Sequence, residues 1–574
     1  MASVFRFGRF DLDSATGELR KDGRPLKLPP QPSKVLTLLV RRAGQIVPQD
    51  QIRREVWGEE TFVDFEAGLH YCLTRIRNAL GEKHGAPRFI ETLPRRGYRF
   101  VAAVEEHREP KAIAVLPFAN LNHDPAFDYF ADGVSDALIT ELGTLAATRV
   151  ISRQSTLRFR ESARSLAEIA RALDVDVVVE GSALRAGERA RITAQLIQVN
   201  PERHLWAQAY ECGLSDVLGV QRQVASAIAG HINRALFTGT PAPAIAQPRP
   251  EAYDAYLRGR FHEAAWTREG LTRGLEYFQR AIAVDPGFAL PHAGMANAYA
   301  LLAYWNHLPA AVALPAARAA ASKALALDAR LSDGHVALGR VVLWRDWDLD
   351  ASERELSRAI ELNPSNEQAR MQRALDAASL RQDSETALSE VREALRLDPL
   401  SMVTGSLAAW VLFFLRQYPR AIDQSRTTLE IHPSSLQAHY VLGLAICMMG
   451  RPDLAVPVLE RAVEISRVPL SFAYLALACA KAGDTGRASA VLQQLLAIPP
   501  EELVSARPLI VVYAALGEMD AAFDCLERAF DVRDTVLLST LSVAVYDGLR
   551  LDPRYDPLAA RVRTALGMVG AVRG

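Results

Sequence analysis

Apolar positions fall along this 574-residue chain in three successive patterns. Up to about residue 104 they alternate over short runs, switch to a helical spacing, then alternate again. FRFGRFDLD, GELRKDG and RPLKL predict short strands, with Gly17 and Gly23 where tight turns are needed. Val35, Leu36, Leu38 and Leu39 predict a helix that follows Pro32 and ends near Gly44. A second helix is expected from Pro48 to Trp57. A third spans Phe65–Leu80, where Leu69, Leu73, Ile76 and Leu80 share one face and form a buried seam. FIETL, an Arg-Arg-Gly turn and YRFVAAV then read as a hairpin. Residues 111–236 mix signals in the order strand, helix, strand, helix, two or three strands and a final helix. GTPAPAIAQPRP, within 237–250, breaks both helix and sheet and reads as a linker. Residues 251–568 are helical throughout. The expected fold class is multidomain: an α+β segment over 1–104, an α/β domain over 111–236 and an all-α array over 251–568.

The helical region repeats itself. AIAVDP, ALALDA, AIELNP, ALRLDP and TLEIHP close successive helices and place Asp285, Asp328, Asn363, Asp398 and His432 at spacings of 43, 35, 35 and 34. Gly294, Gly339 and Gly443 recur on the first helix of several units, and Gly450, Gly483 and Gly517 mark the turn between helices. A period near 34 with two amphipathic helices per unit is the tetratricopeptide signature. One such hairpin cannot bury its apolar face alone, so neighbours stack into a solenoid around a shared core. Seven or eight units are expected, with an insertion or a lengthened helix around 306–315 and a terminal cap in YDGLRLDPRYDPLAARVRTALGM.

Charge changes the picture at the N-terminus. The net charge of −1 hides an asymmetry, because residues 1–104 hold 18 Lys/Arg against 12 Asp/Glu, a balance of +6, and the remainder carries −7. A basic segment on an acidic chain is the electrostatic footprint of a nucleic-acid-binding module. The five cysteines are widely spaced and never form a C-x-x-C pair, so neither a disulfide framework nor a zinc site is implied. The first residues lack the apolar core of a signal peptide, and the longest weakly polar run, about 402–415, is too short for a membrane span. A cytoplasmic protein with no membrane partner is expected.

The third helix carries the candidate chemistry. Opposite its seam lie Ala67, Tyr71, Thr74, Arg75 and Asn78, flanked by His70 and Arg77. Such a face offers hydrogen bonds and a bidentate guanidinium to base edges in a major groove. Arg95 and Arg96 at the hairpin tip can reach phosphates or the minor groove. Trp57, Tyr98 and Phe100 read as packing residues, and Cys72 as structural.

Residues 1–104 resemble the OmpR/PhoB-type winged-helix effector domain of bacterial transcription regulators. The matching text is IVPQDQIRREVWG, VDFEAGLHYCLTRIRNALG and FIETLPRRGYRFVA. The resemblance makes the third helix the recognition helix. It aligns Tyr71, Thr74 and Arg75 with base- and phosphate-facing positions and Thr92 with a phosphate contact. Where the family often has Arg-Gly, this chain has Pro94-Arg95-Arg96-Gly97, so either arginine can serve. No receiver domain or membrane span accompanies the winged helix, which disfavours phosphorelay control.

Residues 111–236 resemble the TolB-like, or FlgO-like, domain found beside repeats in bacterial regulators and some cyclases. Asp132-Gly133 and Glu180-Gly181-Ser182 stand out there. Asp132 is expected to cap the following helix and Gly181 to permit a bend between strands. The chain has no phosphate-binding loop, dinucleotide fingerprint, H-E-x-x-H or G-x-S-x-G. No enzyme activity and no cofactor are expected. The reading is a sequence-specific DNA-binding regulator with double-stranded DNA as one partner. A protein, peptide or small ligand on the repeat array is the other, and self-association into a homo-oligomer stays open. The alternatives are an interaction scaffold that docks protein on both surfaces and a nucleotide-handling enzyme built on the middle domain.

Overall fold

A computed structural model describes residues 3–568 apart from 14–15, 22–23, 58–64, 83–86, 109–111, 146–147, 161, 214–215, 233–247, 265, 306, 499–504 and 541. Gly23 and most of the expected linker lie outside the described residues. The chain divides into two compact units, Met1–Pro110 and Lys111–Gly574.

In the first unit, β1 (Ser3–Phe7), β2 (Phe10–Asp13), β3 (Leu19–Lys21) and β4 (Arg24–Leu26) form an antiparallel meander. Alternation puts Phe5, Phe7, Phe10, Leu12 and Leu19 on its buried face. Then come α1 (Pro30–Arg41), β5 (Ile46–Val47), α2 (Gln49–Trp57), α3 (Phe65–Leu80), β6 (Ile90–Leu93) and β7 (Gly97–Phe100), with β7 between β5 and β6. The β7 strand comes so close to β5 that a Cβ on Gly97, whose φ is +126°, would run into the Val47 carbonyl. Helix α1 begins at Pro30, earlier than expected, because proline suits a first turn. The end of the domain differs more: beyond the expected boundary at residue 104, Glu105–Arg108 is a strand, β8, paired antiparallel with β1. Strand pairing needs only backbone groups, and charged side chains are common on sheet edges.

The second unit opens with an α/β domain. Its elements are β9 (Ala112–Val115), β10 (Ala119–Asn120), α4 (Asp128–Leu145), β11 (Arg149–Val150), α5 (Arg153–Leu157), α6 (Leu166–Leu173), β12 (Val177–Ala186), β13 (Arg189–Val199), β14 (Glu202–Gly213) and α7 (Val217–Ile232). The sheet order is β11-β9-β12-β13-β14, parallel up to β12 and antiparallel beyond it. Ile113 and Val115 pack with α4 and α7, while Ala112 and Ala114 pack with α6. Burial on both faces explains why β9 is apolar at every position. Two expectations are corrected here. Asp132 caps nothing: it lies inside α4, buried, and pairs with Arg153 at 3.2 Å and with Arg160. Gly181 sits in the continuous strand β12, where a Cβ would meet the Phe118 ring and the Thr193 carbonyl.

Eight helical hairpins follow: α8 (Pro250–Glu263) with α9 (Arg268–Val284), α10 (Ala289–Tyr304) with α11 (Ala310–Leu327), α12 (Ser332–Val341) with α13 (Leu349–Leu362), α14 (Glu367–Asp376) with α15 (Ser384–Leu397), α16 (Met402–Phe414) with α17 (Tyr418–Ile431), α18 (Leu436–Met448) with α19 (Pro452–Ile465), α20 (Pro469–Lys481) with α21 (Thr485–Leu496), and α22 (Arg507–Leu516) with α23 (Met519–Asp531). Pro250, expected in the linker, is the first residue of α8. The repeated Asp285, Asp328, Asn363, Asp398 and His432 all end helices, each donating its backbone N–H to the carbonyl four residues earlier. The long spacing reflects lengthened helices, 16 residues in α10 and 18 in α11 against 13 and 14 in α16 and α17. Helix α11, rather than the run at 402–415, is long and apolar enough to cross a membrane by length and composition. It packs Ala313, Leu314, Ala317 and Ala321 into the array. Left-handed residues close the inter-helix turns. Three are the expected Gly450, Gly483 and Gly517, but Trp347, Gln382 and Arg416 hold the same place in earlier hairpins with φ of 59°, 55° and 58°.

The α/β domain and the repeats form one body. Tyr253, Leu257 and Phe288 of the hairpins share a core with α4 and α7. Asp136 pairs with Arg260 at 2.9 Å, the Ser155 hydroxyl donates to Asp398 at 2.7 Å, and the Leu400 N–H donates to Ser155 at 2.8 Å. The tail, α24 (Val536–Thr540), a 3-10 turn Ala544–Leu551 and α25 (Tyr555–Ala565), does more than cap the last hairpin. Asp547 accepts two 2.7 Å hydrogen bonds from Arg416, Arg533 donates to the Arg345 and Asp346 carbonyls, and Phe530 packs edge-on to Trp347. The end of the array thus folds back onto its middle.

Candidate nucleic-acid interface

Helix α3 buries Leu69, Cys72, Leu73, Ile76 and Leu80, the expected seam with Cys72 added. Burial pushes the Cys72 thiol up, which makes it a packing residue rather than a nucleophile. Trp57 meets Phe65 edge-on at 5.2 Å and fixes the start of the helix against α2. The opposite face is open: His70, Tyr71, Thr74, Arg75 and Asn78 are all exposed, Tyr71 to 54%. Thr74 donates its hydroxyl hydrogen to the His70 carbonyl at 2.9 Å, which leaves the oxygen as an acceptor. The Arg75 guanidinium lies 5.9 Å over the Tyr71 ring, one turn away, and no ion pair among the described residues holds it.

Arg77 and Thr92 sit differently. Arg77 is half-buried and donates to the Thr92 hydroxyl at 2.8 Å and to the Ile90 carbonyl at 3.1 Å, with Glu82 3.7 Å away. It ties α3 to β6. Glu82, which the sequence did not single out, accepts from the Arg88, Phe89 and Ile90 N–H groups at 2.6, 2.9 and 3.3 Å and organises the approach to the hairpin. A lone Glu at a helix end gives no sequence signal for that role.

At the hairpin tip the Arg96 N–H bonds the Leu93 carbonyl at 3.0 Å, with Pro94 first in the turn and Arg95 at a φ of +61°. A left-handed arginine is a sparsely used conformation, and turn geometry supplies it here. Both arginine side chains are exposed and, among the described residues, without an ion pair, whereas Arg99 is engaged with Glu91 across the strands at 2.6 Å. Among the described residues the site therefore has two separated sources of positive charge without an ion pair, Arg75 on the helix and Arg95 with Arg96 on the hairpin. Among the described residues no group of three His, Cys, Asp or Glu side chains can hold a metal ion.

Residues 23–100 match the family model described as "Transcriptional regulatory protein, C terminal". The N-terminal domain belongs to that winged-helix family. The match spans α1, α2, α3 and the β6–β7 hairpin, so the open face and the tip arginines both fall within it. The transcriptional regulator HilA of Salmonella typhimurium is 23% identical over 461 residues, covering 76% of this chain and 79% of that protein. The putative adenylate cyclase 3 of Rhizobium meliloti is 32% identical over 237 residues, covering 41% of this chain and 40% of that protein. The chain thus spans well under half of the cyclase relative and about four fifths of the regulator. The solved tetratricopeptide protein YrrB is 20% identical with a TM-score of 0.24, covering 34% of this chain and 94% of its own. Assignment of the repeats rests instead on the eight hairpins described above.

Proposed function

We propose that this chain is a DNA-binding transcription regulator whose α3 enters the major groove and whose hairpin arginines hold the backbone. The observation that carries this reading is the division of α3 into a sealed apolar seam and an open polar face on which Arg75 has no counter-charge among the described residues. Tyr71, Thr74, Arg75, Asn78 and His70 are its base- and phosphate-facing groups. Arg95 and Arg96 reach phosphates, while Arg77 and Thr92 orient the hairpin against the helix. The winged-helix family and the similarity to a named regulator support the reading. The Lys111–Gly574 unit supplies the regulatory input through a partner or ligand on its repeats.

Genome-wide mapping followed by footprinting, with the full chain and with Arg75→Ala, tests it. The native protein should yield a shared sequence motif. The variant should lose discrimination at one base pair by at least about tenfold, as expected for a bidentate guanidinium contact worth about 1–3 kcal/mol. Identical footprints from the two proteins would sink the recognition-helix assignment. Binding with no common motif would favour the scaffold reading.

A further inference from the structure

The fold-back of the tail borders a half-open cavity of about 970 Å³ on the repeats. Its wall is built by the first helices of successive hairpins, from Tyr304 of α10 to Arg507 of α22, and is completed by Tyr546 of the tail. Tandem stacking brings equivalent positions of each first helix to the same inner surface, and here those positions are aromatic. Tyr304 stacks on Trp344 at 4.7 Å, and Trp410 packs with Phe414 and Tyr474. The volume falls in the range of small-molecule sites.

Two arginines line this cavity, the exposed Arg268 and the half-buried Arg507. Among the described residues Arg507 makes no ion pair; its guanidinium bonds the Tyr474 hydroxyl, and its Nε is sealed from solvent with nothing to bond. Its neighbouring acid, Asp534, is already committed: it accepts from the Ser505 hydroxyl and from the Ala506 and Val536 N–H groups. The other groups that act on the Arg507 charge are the phenols of Tyr546, Tyr474 and Tyr304. Burial raises the pKa of all three, so they stay protonated and can donate. A guanidinium partly sealed from solvent gains from an anion that pairs with it. A planar fork ringed by hydroxyl donors is matched by a carboxylate.

We propose that this cavity binds a small aromatic carboxylate, its acid group on Arg507 among the three tyrosines and its ring against Trp344 and Trp410. The flat indole and phenol walls select a flat body, and the arginines on the wall select negative charge. A long peptide is disfavoured, because few side-chain amides line the wall to hold its backbone; Gln372 and Gln437 are the two, and both are engaged, Gln437 with Trp410 and Gln372 with Asp376. The inference deepens the reading that the repeats carry the regulatory input, and it rests on that reading only for its regulatory meaning.

Naphthalene carboxylate and the matching carboxamide are the probes, titrated into the full chain and followed by tryptophan fluorescence and ligand-observed NMR. The acid should bind at least about tenfold tighter than the amide, and the gap should close in Arg507→Gln. Equal binding of acid and amide, no saturable binding of the acid at millimolar concentration, or a gap that survives in Arg507→Gln would overturn the proposal. If Arg507→Gln does not fold, Tyr546→Phe replaces it. A gap narrowed by about threefold then supports the site and an unchanged gap refutes it. DNA footprints of the same variants without probe separate this from the interface, since Arg507→Gln should footprint as the native chain does whether or not the cavity binds an acid.

Discussion

Arginine in the winged-helix unit and arginine in the Lys111–Gly574 unit face different surroundings. Arg75, Arg95 and Arg96 stand in solvent, and no carboxylate among the described residues neutralises them. In the second unit Arg153 reaches the buried Asp132, Arg260 reaches Asp136, and Arg370 and Arg373 share Glu390 at 3.0 and 2.8 Å. The first set contributes little to folding and is available to an external anion. The second set is bonded inside the folded chain, and its Arg260–Asp136 pair joins the α/β domain to the repeat array. The sequence shows the same residue type in both, and only the folded chain separates a waiting charge from a bonded one.

The comparison is tested most severely at a buried pair. Asp136→Ala strands the Arg260 guanidinium inside the junction, leaving only Glu263 and Asp333 at 3.6 Å. Breaking such a pair should destabilise the second unit by about 3–5 kcal/mol. Denaturant unfolding with a fluorescence probe in each unit reads this, and the winged-helix transition should not move. The counterpart in the first unit is backbone rather than charge. Gly97→Ala puts a Cβ against the Val47 carbonyl at a φ of +126°, and should cost about 1–3 kcal/mol and weaken DNA binding through the displaced hairpin.

The third test uses pH. Burial pushes the Asp376 carboxyl up to about 7. The groups facing it are Gln372, Ser352, Glu353, Arg340 and Tyr304. An unfolded aspartate titrates near pH 4. Between about pH 4 and 7 the folded chain therefore keeps a proton that the unfolded chain has released. The stability linked to this group is fully present below about pH 4 and is lost as pH rises through 7. Glu367, pushed up to about 8 by burial, acts in the same direction. Asp376→Asn should flatten the fall in melting temperature between pH 5 and 8 without abolishing it. An unchanged slope would show that Asp376 is not held neutral.

How much of this was legible follows from the distance over which each feature is encoded. The α3 seam depends on residues four apart, and the hairpin on a local turn, so both were readable from Leu69, Leu73, Ile76 and Leu80 and from Pro94 to Gly97. The repeat period was readable because Asp285 and its equivalents each stop their own helix. The closure was not, because Arg416 and Asp547 lie 131 residues apart and nothing near either one signals the other. The junction through Ser155 and Asp398 was hidden for the same reason. Arg77 and Thr92 show the limit within one domain. A helical wheel places Arg77 beside the open face, but it holds no information about β6, which turns that guanidinium into a tie. The β8 strand was hidden by its charges, and Trp347, Gln382 and Arg416 by the habit of expecting glycine at left-handed turns.

The smallest stability effect tests the other half of the comparison. If Arg95 and Arg96 are held for an external anion, replacing them should cost the fold nothing. Arg95→Gln and Arg96→Gln should each change the winged-helix unfolding free energy by less than about 0.5 kcal/mol. Arg95→Gly, which relieves the left-handed turn as well, should stabilise slightly. Binding should respond instead. Each lost phosphate contact should lower the slope of log affinity against log salt by about one, with the weakening uniform across DNA sequences. Arg75→Ala should show the reverse signature, a loss concentrated at one base pair. A hairpin variant that changed sequence preference and left the salt slope intact would mean the tip reads bases, and the division of labour between helix and hairpin would have to be redrawn.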